Sequence, residues 1–249
     1  VASPHSEALR FKLSLTDDRY GRLTRRLWSH PRLTELYPRY LIRLHGVVRA
    51  GVPLMEAALE AARRLPDSDP LRAHLLAYYG EHIDEERDHD QWLLDDIVEL
   101  GYARESVLAE VPSPLIASVV GAQYYWIRHA HPVALMGYLF LLEGNPPTVE
   151  LVERIKEATG LPEVGFRCLR HHAVADVGHR EDLYRAFDAM PLDRELEGLV
   201  GISATWSQHL LAESLEAMLE DFERTPPTRA RSRRDRRVTI GRRRPRVAR

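Results

Sequence analysis

His172, Asp176 and His179 stand at positions i, i+4 and i+7. A helix turns once in 3.6 residues, so this spacing sets two imidazoles and a carboxylate on one stripe. Upstream, Glu86 and His89 form a Glu-x-x-His pair, which shares a helical face at i and i+3. Between the two motifs a single carboxylate, Glu143, ends the apolar run 133–142. Imidazoles and carboxylates offered inward by facing helices are the ligand set of non-haem iron, one ion or two. The pattern points to an oxygen-using metalloenzyme.

Each motif also has a plainer explanation. The segment Met136-Gly-Tyr-Leu-Phe-Leu-Leu-Glu143 is apolar nearly all round, so its helix should be buried. A buried carboxylate needs a cation or a proton. Glu143 is therefore either a ligand or the solvated end of its helix, one residue before Gly144. Glu86 and His89 lie in the polar stretch 82–90, where His82 and Glu85 fall in the same arc; a solvated face explains that as well. His171 lies about 100° round the helix from His172 and off the stripe. Taken together, three helices offer three histidines and three carboxylates, about what two octahedral ions with positions open to oxygen require.

The elements that must hold these residues read as helices throughout. No Asn-Gly or similar hairpin turn separates alternating runs. Asp69-Pro70 opens a helix whose apolar period runs from Leu71 to Ile97 and stops at Gly101. Ser113-Pro114 opens another, and His131-Pro132 a third that ends at Gly144. A short amphipathic helix covers 148–159, the triplet rides on a helix over 165–190, and a long one spans 194–223. Upstream, 38–50 and 53–65 form a helical pair or one helix kinked at Gly51-Val52-Pro53. The expected architecture is one all-α bundle of about seven helices over 17–223, after an N-terminal extension at 1–16.

Charge divides the chain. The formal net charge is −2, yet residues 224–249 hold 12 Arg and one Asp. That Arg-rich segment has almost nothing to bury and reads as a disordered tail. Such a run could touch nucleic acid or an anionic surface, but no aromatic residue interleaves its arginines to stack on bases, and a solvated extension with neither partner is the expectation. Cys168 is the single cysteine, so no internal disulfide framework is available. Residues 1–10 lack the apolar stretch of a signal peptide, and the longest apolar runs are too short for a bilayer. A cytoplasmic protein is the expectation.

The order Glu86-x-x-His89, a lone Glu143, then His172-x3-Asp176-x2-His179 resembles the haem-oxygenase-like di-iron oxidases, also called iron-containing redox enzymes. The resemblance covers about 37–223 and includes Glu86-Arg-Asp-His89-Asp-Gln-Trp-Leu-Leu-Asp-Asp96 and the Tyr-x4-Glu of Tyr138 and Glu143. It implies a seven-helix haem-oxygenase-like bundle, two Fe(II) ions per chain and O2 as co-substrate. Family reactions are N-oxygenation, oxidative decarboxylation and carbon–carbon cleavage of amines, amino acids or fatty acids. Carried over by residue, the ligands are Glu86, His89, Glu143, His172, Asp176 and His179, with Glu85 the variant of Glu86. The family often takes a further Glu from the preceding helix. This chain has Val52-Pro53-Leu54 at that spacing, and Glu56 slightly later is the candidate.

No catalytic residue is assigned beyond the metal ligands. A small-molecule substrate is expected, and an electron donor or a second copy of the chain are compatible partners. Tyr78, Tyr79, Tyr124, Tyr125, Trp126 and Tyr138 either line a pocket or fill the core, and Arg128 or Arg170 are candidate anchors for a substrate carboxylate. Two other classes compete: a haem-binding protein of the haem oxygenase type, and a metal-free helical scaffold. Iron or haem content separates the three.

Overall fold

The computed structural model describes residues 4–144 and 146–226, and within them not the side chains of 17 and 175–177. The Asp176 side chain and the Arg-rich segment from 227 onward therefore lie outside the described residues. Twelve α-helices and no strand are present among the described residues: α1 His5–Ser14, α2 Asp17–Trp28, α3 Leu33–Val48, α4 Gly51–Arg63, α5 Arg72–Glu85, α6 His89–Glu99, α7 Arg104–Ala109, α8 Pro114–His129, α9 Ala134–Glu143, α10 Val149–Thr159, α11 Arg167–Asp188 and α12 Arg194–Arg224. No helix among them is long and apolar enough to cross a membrane.

Helix starts follow the local chemistry. Ser113 Oγ accepts from the Ile116 amide, with Pro114 as the first helical residue of α8. Thr148 caps α10 at the Leu151 amide, and Gly160 closes that helix at φ +62°. Asp193 caps α12 through the Leu196 amide at 2.9 Å.

The all-α bundle stands as read, but its elements are more numerous than seven. The helix expected from Asp69-Pro70 to Gly101 is two. Asp88 adopts φ +69°, in the left-handed region, and the chain turns there so that α6 starts at His89. Asp is among the few residues that tolerate this conformation, so no Gly or Pro marks the break. The 38–65 segment is a pair, α3 and α4, parted at Arg49–Ala50 rather than at Pro53, and Pro38 sits inside α3. Residues 1–16, expected as an extension, contain α1. It packs on α11 and α12, buries Leu9 and Leu13, and is tied down where Asp188 accepts from the amide and hydroxyl of Ser6, both at 2.7 Å.

The 31-residue α12 runs through the middle of the packing, against α9, α8, α2 and α1. Its tightest neighbour is α9. A Cβ on Gly137 would lie 2.2 Å from the Val200 carbonyl oxygen and 2.9 Å from the Ala204 nitrogen, so only glycine lets these backbones meet. Besides a smaller cluster on α2, α3 and α12, around Leu27, Leu36 and Leu215, apolar side chains form two large ones. One joins α4, α5, α8, α9 and the C-terminal half of α11, with Ile83, Phe140 and Leu183; the other joins α3, α6, α10 and the start of α11, with Leu93, Leu94, Leu169 and Ala173. A polar band separates them. On the α5–α6 line it falls between Ile83 and Leu93, and on α11 between Ala173 and Leu183. Residues 86, 89 and 179 lie in that band, and His172 at its edge.

Candidate metal centre

Glu86 caps the C-terminus of α5, and His89 opens α6. The pair meets across the break at Asp88, with Oε2 of Glu86 2.8 Å from Nδ1 of His89. The expected contact is present, but a turn makes it rather than one continuous helical face. His89 is buried, and its ring lies 4.9 Å from that of His172 on α11. Glu86, His89 and His172 each offer one ligand atom, and these atoms all lie within 4.8 Å of one another.

The donors are poised for a cation. Nδ1 of His172 donates to the Cys168 carbonyl at 2.8 Å, since a carbonyl can only accept. That bond fixes the tautomer and leaves Nε2 as the lone-pair nitrogen, the arrangement metal-bound histidines use. The two oxygens of Glu86 point different ways. While Oε2 meets His89, Oε1 lies 3.9 Å from Nδ1 of His179. Burial acts to raise the Glu86 carboxyl, but the hydrogen bond and charge of His89, with His82 and His172, outweigh it and hold the group below its ordinary value. Hard carboxylate oxygen with imidazole nitrogen is a donor set that fits iron.

Glu143 ends α9 and is 8% exposed, so the buried alternative of the sequence reading is the one realised. Its Oε1 accepts from Nε2 of His82 at 2.9 Å. His82 in turn holds Glu85 through Nδ1 at 3.0 Å, and its ring is 6.0 Å from that of His179. Burial lowers the His82 imidazolium, but Glu143 and then Glu85 and Glu86 more than offset this and hold it up to about 9. His82 received no ligand role from its sequence; its place one turn before Glu86 was the available signal.

Glu56 is not brought to the site. The buried side of α4 is Leu54, Met55, Ala58, Ala61 and Ala62, and at 100° per residue Glu56 projects from the opposite side into solvent. His171 is exposed, with its ring 5.4 Å from that of His89. The triplet's other neighbour, Cys168, is buried and serves His172 through its backbone.

Asp96 is a positioning residue that spacing alone did not reveal. It is fully buried on α6, two turns beyond His89, and accepts from the Cys168 amide at 2.8 Å and from Nε of Arg167 at 3.1 Å. A carboxylate at a helix N-terminus is favoured there. Burial nevertheless pushes the Asp96 carboxyl above the usual carboxylate range, against the pull of those two donors. The contact clamps α6 to the first turn of α11 and so faces His89 with His172.

Aromatic expectations divide. Tyr79 and Tyr138 are core, Tyr125 is exposed, and Tyr78 stacks on His82 with ring centroids 5.1 Å apart. Arg170 is engaged by Glu153 and Glu163, and Arg128 lies over the Tyr124 ring.

Comparison with known proteins places this geometry. No curated protein matches the chain. A domain of unknown function with a heme oxygenase-like fold from Shewanella denitrificans superposes with a TM-score of 0.74 at 17% identity, over 90% of this chain and 95% of that one. A TenA homolog from Pseudomonas syringae superposes with a TM-score of 0.66 at 13% identity, over 87% and 93%. At such identities these likenesses establish the heme oxygenase-like fold and nothing of activity. Sequence is more specific: residues 43–210, which carry Glu86, His89, Glu143, His172 and His179, match the model of the iron-containing redox enzymes, and the chain belongs to that family.

Proposed function

We propose that the protein is a non-haem di-iron oxidoreductase that uses O2 to oxidise a small amine, amino acid or fatty acid. The observation that carries this reading is the group of Glu86, His89 and His172, with the second oxygen of Glu86 directed at His179. A carboxylate placed between two sets of histidines is suited to hold two cations at once. Two Fe(II) ions bound there would supply the electrons and the Lewis acidity that O2 chemistry needs.

The chain's own residues have three tasks. Glu86, His89 and His172 supply one set of donors, and Glu143 and His179 a second, with Asp176 on the same stripe by spacing. Asp96 and the Cys168 carbonyl orient the first set. His82, His89 and Glu143 are buried between the apolar clusters, and the reduced contact with water there strengthens the attraction between carboxylates and cations. Oxidative decarboxylation, N-oxygenation and carbon–carbon cleavage all suit such a centre.

Metal content tests the reading. Metal-stripped protein reloaded with Fe(II) without oxygen should hold two ions per chain. His89→Ala and His172→Ala should each lose iron, with affinity down by at least about 10–100-fold, the range that loss of even an outer partner causes. His171→Ala should keep it. The loaded protein should then consume O2 in the presence of one of the three substrate classes. Equal iron in all variants, or none in the wild type, would reject the proposal.

A further inference from the structure

We infer that His82 is itself a metal ligand, forming with Glu143, His179 and the Oε1 of Glu86 a second metal position beside that of Glu86, His89 and His172. This rests on the two-metal reading of the site.

His82 lies in the last turn of α5, 4% exposed, where an imidazole has little packing reason to be. Its Nε2 faces the carboxylate of Glu143 at 2.9 Å, across 61 residues of sequence. The His179 ring stands 6.0 Å away and nearly perpendicular, at 81°. Glu86 lies 3.9 Å beyond, at the same His179. Pairwise contacts thus link four donor side chains from the end of α5, from the end of α9 and from α11, more loosely than Glu86, His89 and His172, whose ligand atoms lie within 4.8 Å of one another.

The far side of the ring argues for ligation over mere support. Histidines that bind metals almost always donate their other ring N–H to a carboxylate or a carbonyl. Nδ1 of His82 meets Oε2 of Glu85 at 3.0 Å, as Nδ1 of His172 meets the Cys168 carbonyl. Glu85 is 42% exposed at its side chain, so it serves as the outer partner and Nε2 as the inward donor. Tyr78, stacked on the ring at 23°, holds the imidazole plane in place. Glu56 cannot serve here, because it faces solvent from α4.

Anaerobic titration of the metal-stripped full chain with Co(II), whose visible bands report coordination, tests this. Wild type should take up two ions. His82→Ala and His82→Gln should keep the first and bind the second more weakly, by about 100-fold or more. Glutamine can still donate to Glu143 but is a poor ligand, so it separates ligation from hydrogen bonding. Added imidazole should restore the second ion and its wild-type bands in His82→Ala, whereas His82→Gln, which can still donate to Glu143, should stay without them. Melting curves confirm that each variant is folded, and glutamine serves if alanine is not. Two ions bound normally by His82→Gln would overturn the assignment and leave the two-metal reading intact. A wild type that takes up one ion, dependent on His172 but not on His82, would overturn the second position. No uptake by wild type would overturn the underlying reading as well.

Discussion

His45, on α3 and 2% exposed, has an Nε2 without a hydrogen-bond partner among the described residues. Burial, reinforced by Arg49 and opposed by Asp90, holds its imidazolium below the ordinary value. An unfolded histidine binds its proton near pH 6.5. At lower pH the unfolded chain takes up a proton that the folded chain refuses. The stability His45 contributes is thus complete above about pH 6.5 and is lost as pH falls through the depressed folded value. Urea midpoints should therefore fall more for wild type than for His45→Leu between about pH 7 and pH 5, other histidines titrating alike in both. Parallel falls would show that His45 titrates as it would in water. At this scale the sequence pointed to Glu86, His89 and His172, which the fold does bring together, although the first two meet across the turn at Asp88 rather than along one helix. It was mute where a role depends on a distant partner. His82 meets Glu143 at a separation of 61 residues, and Asp96 meets Cys168 at 72, and no local pattern encodes either.

Among the elements, α9 is held by a single missing methyl group. With Gly137 against the backbone of α12, Gly137→Ala must push the helices apart, and overpacking of this kind costs about 1–3 kcal/mol. Because Glu143 ends the same helix, the shift should also weaken metal binding, more than an exposed change such as Gly121→Ala does. Wild-type melting and metal affinity in Gly137→Ala would mean that α9 has slack the packing does not suggest. Helix ends with a cap or a glycine were legible, as at Ser113, Thr148 and Gly160. The break at Asp88 was not, because an apolar period continues across it and the residue that turns the chain is an ordinary acid. Of the two N-terminal helices, α1 carries only a weak apolar stripe, whose Leu9 and Leu13 find cover on α11 and α12.

The whole molecule was legible as an all-α bundle because its apolar residues keep a helical period almost from end to end. What composition could not show is that they settle into separate clusters with a charged band between them. That band bears on how the fold comes apart. At the level of the band, acids and imidazoles stand between the two larger clusters, which the smaller third cluster bridges elsewhere through Tyr20, Trp28 and Tyr40, so the chain can open locally there. A cation gripped from both sides ties their melting together. Calorimetry of the metal-stripped protein should give a measured enthalpy larger than the van't Hoff value, the mark of more than one melting unit, while the iron-loaded protein should bring the two into agreement. A single cooperative transition in both forms would mean that α11 and the third cluster hold the halves together without a metal. On this view a metal ion in the band would be a rivet: losing it would divide the cooperative unit, and the chain would open first along the layer that holds Glu86, His89 and His172.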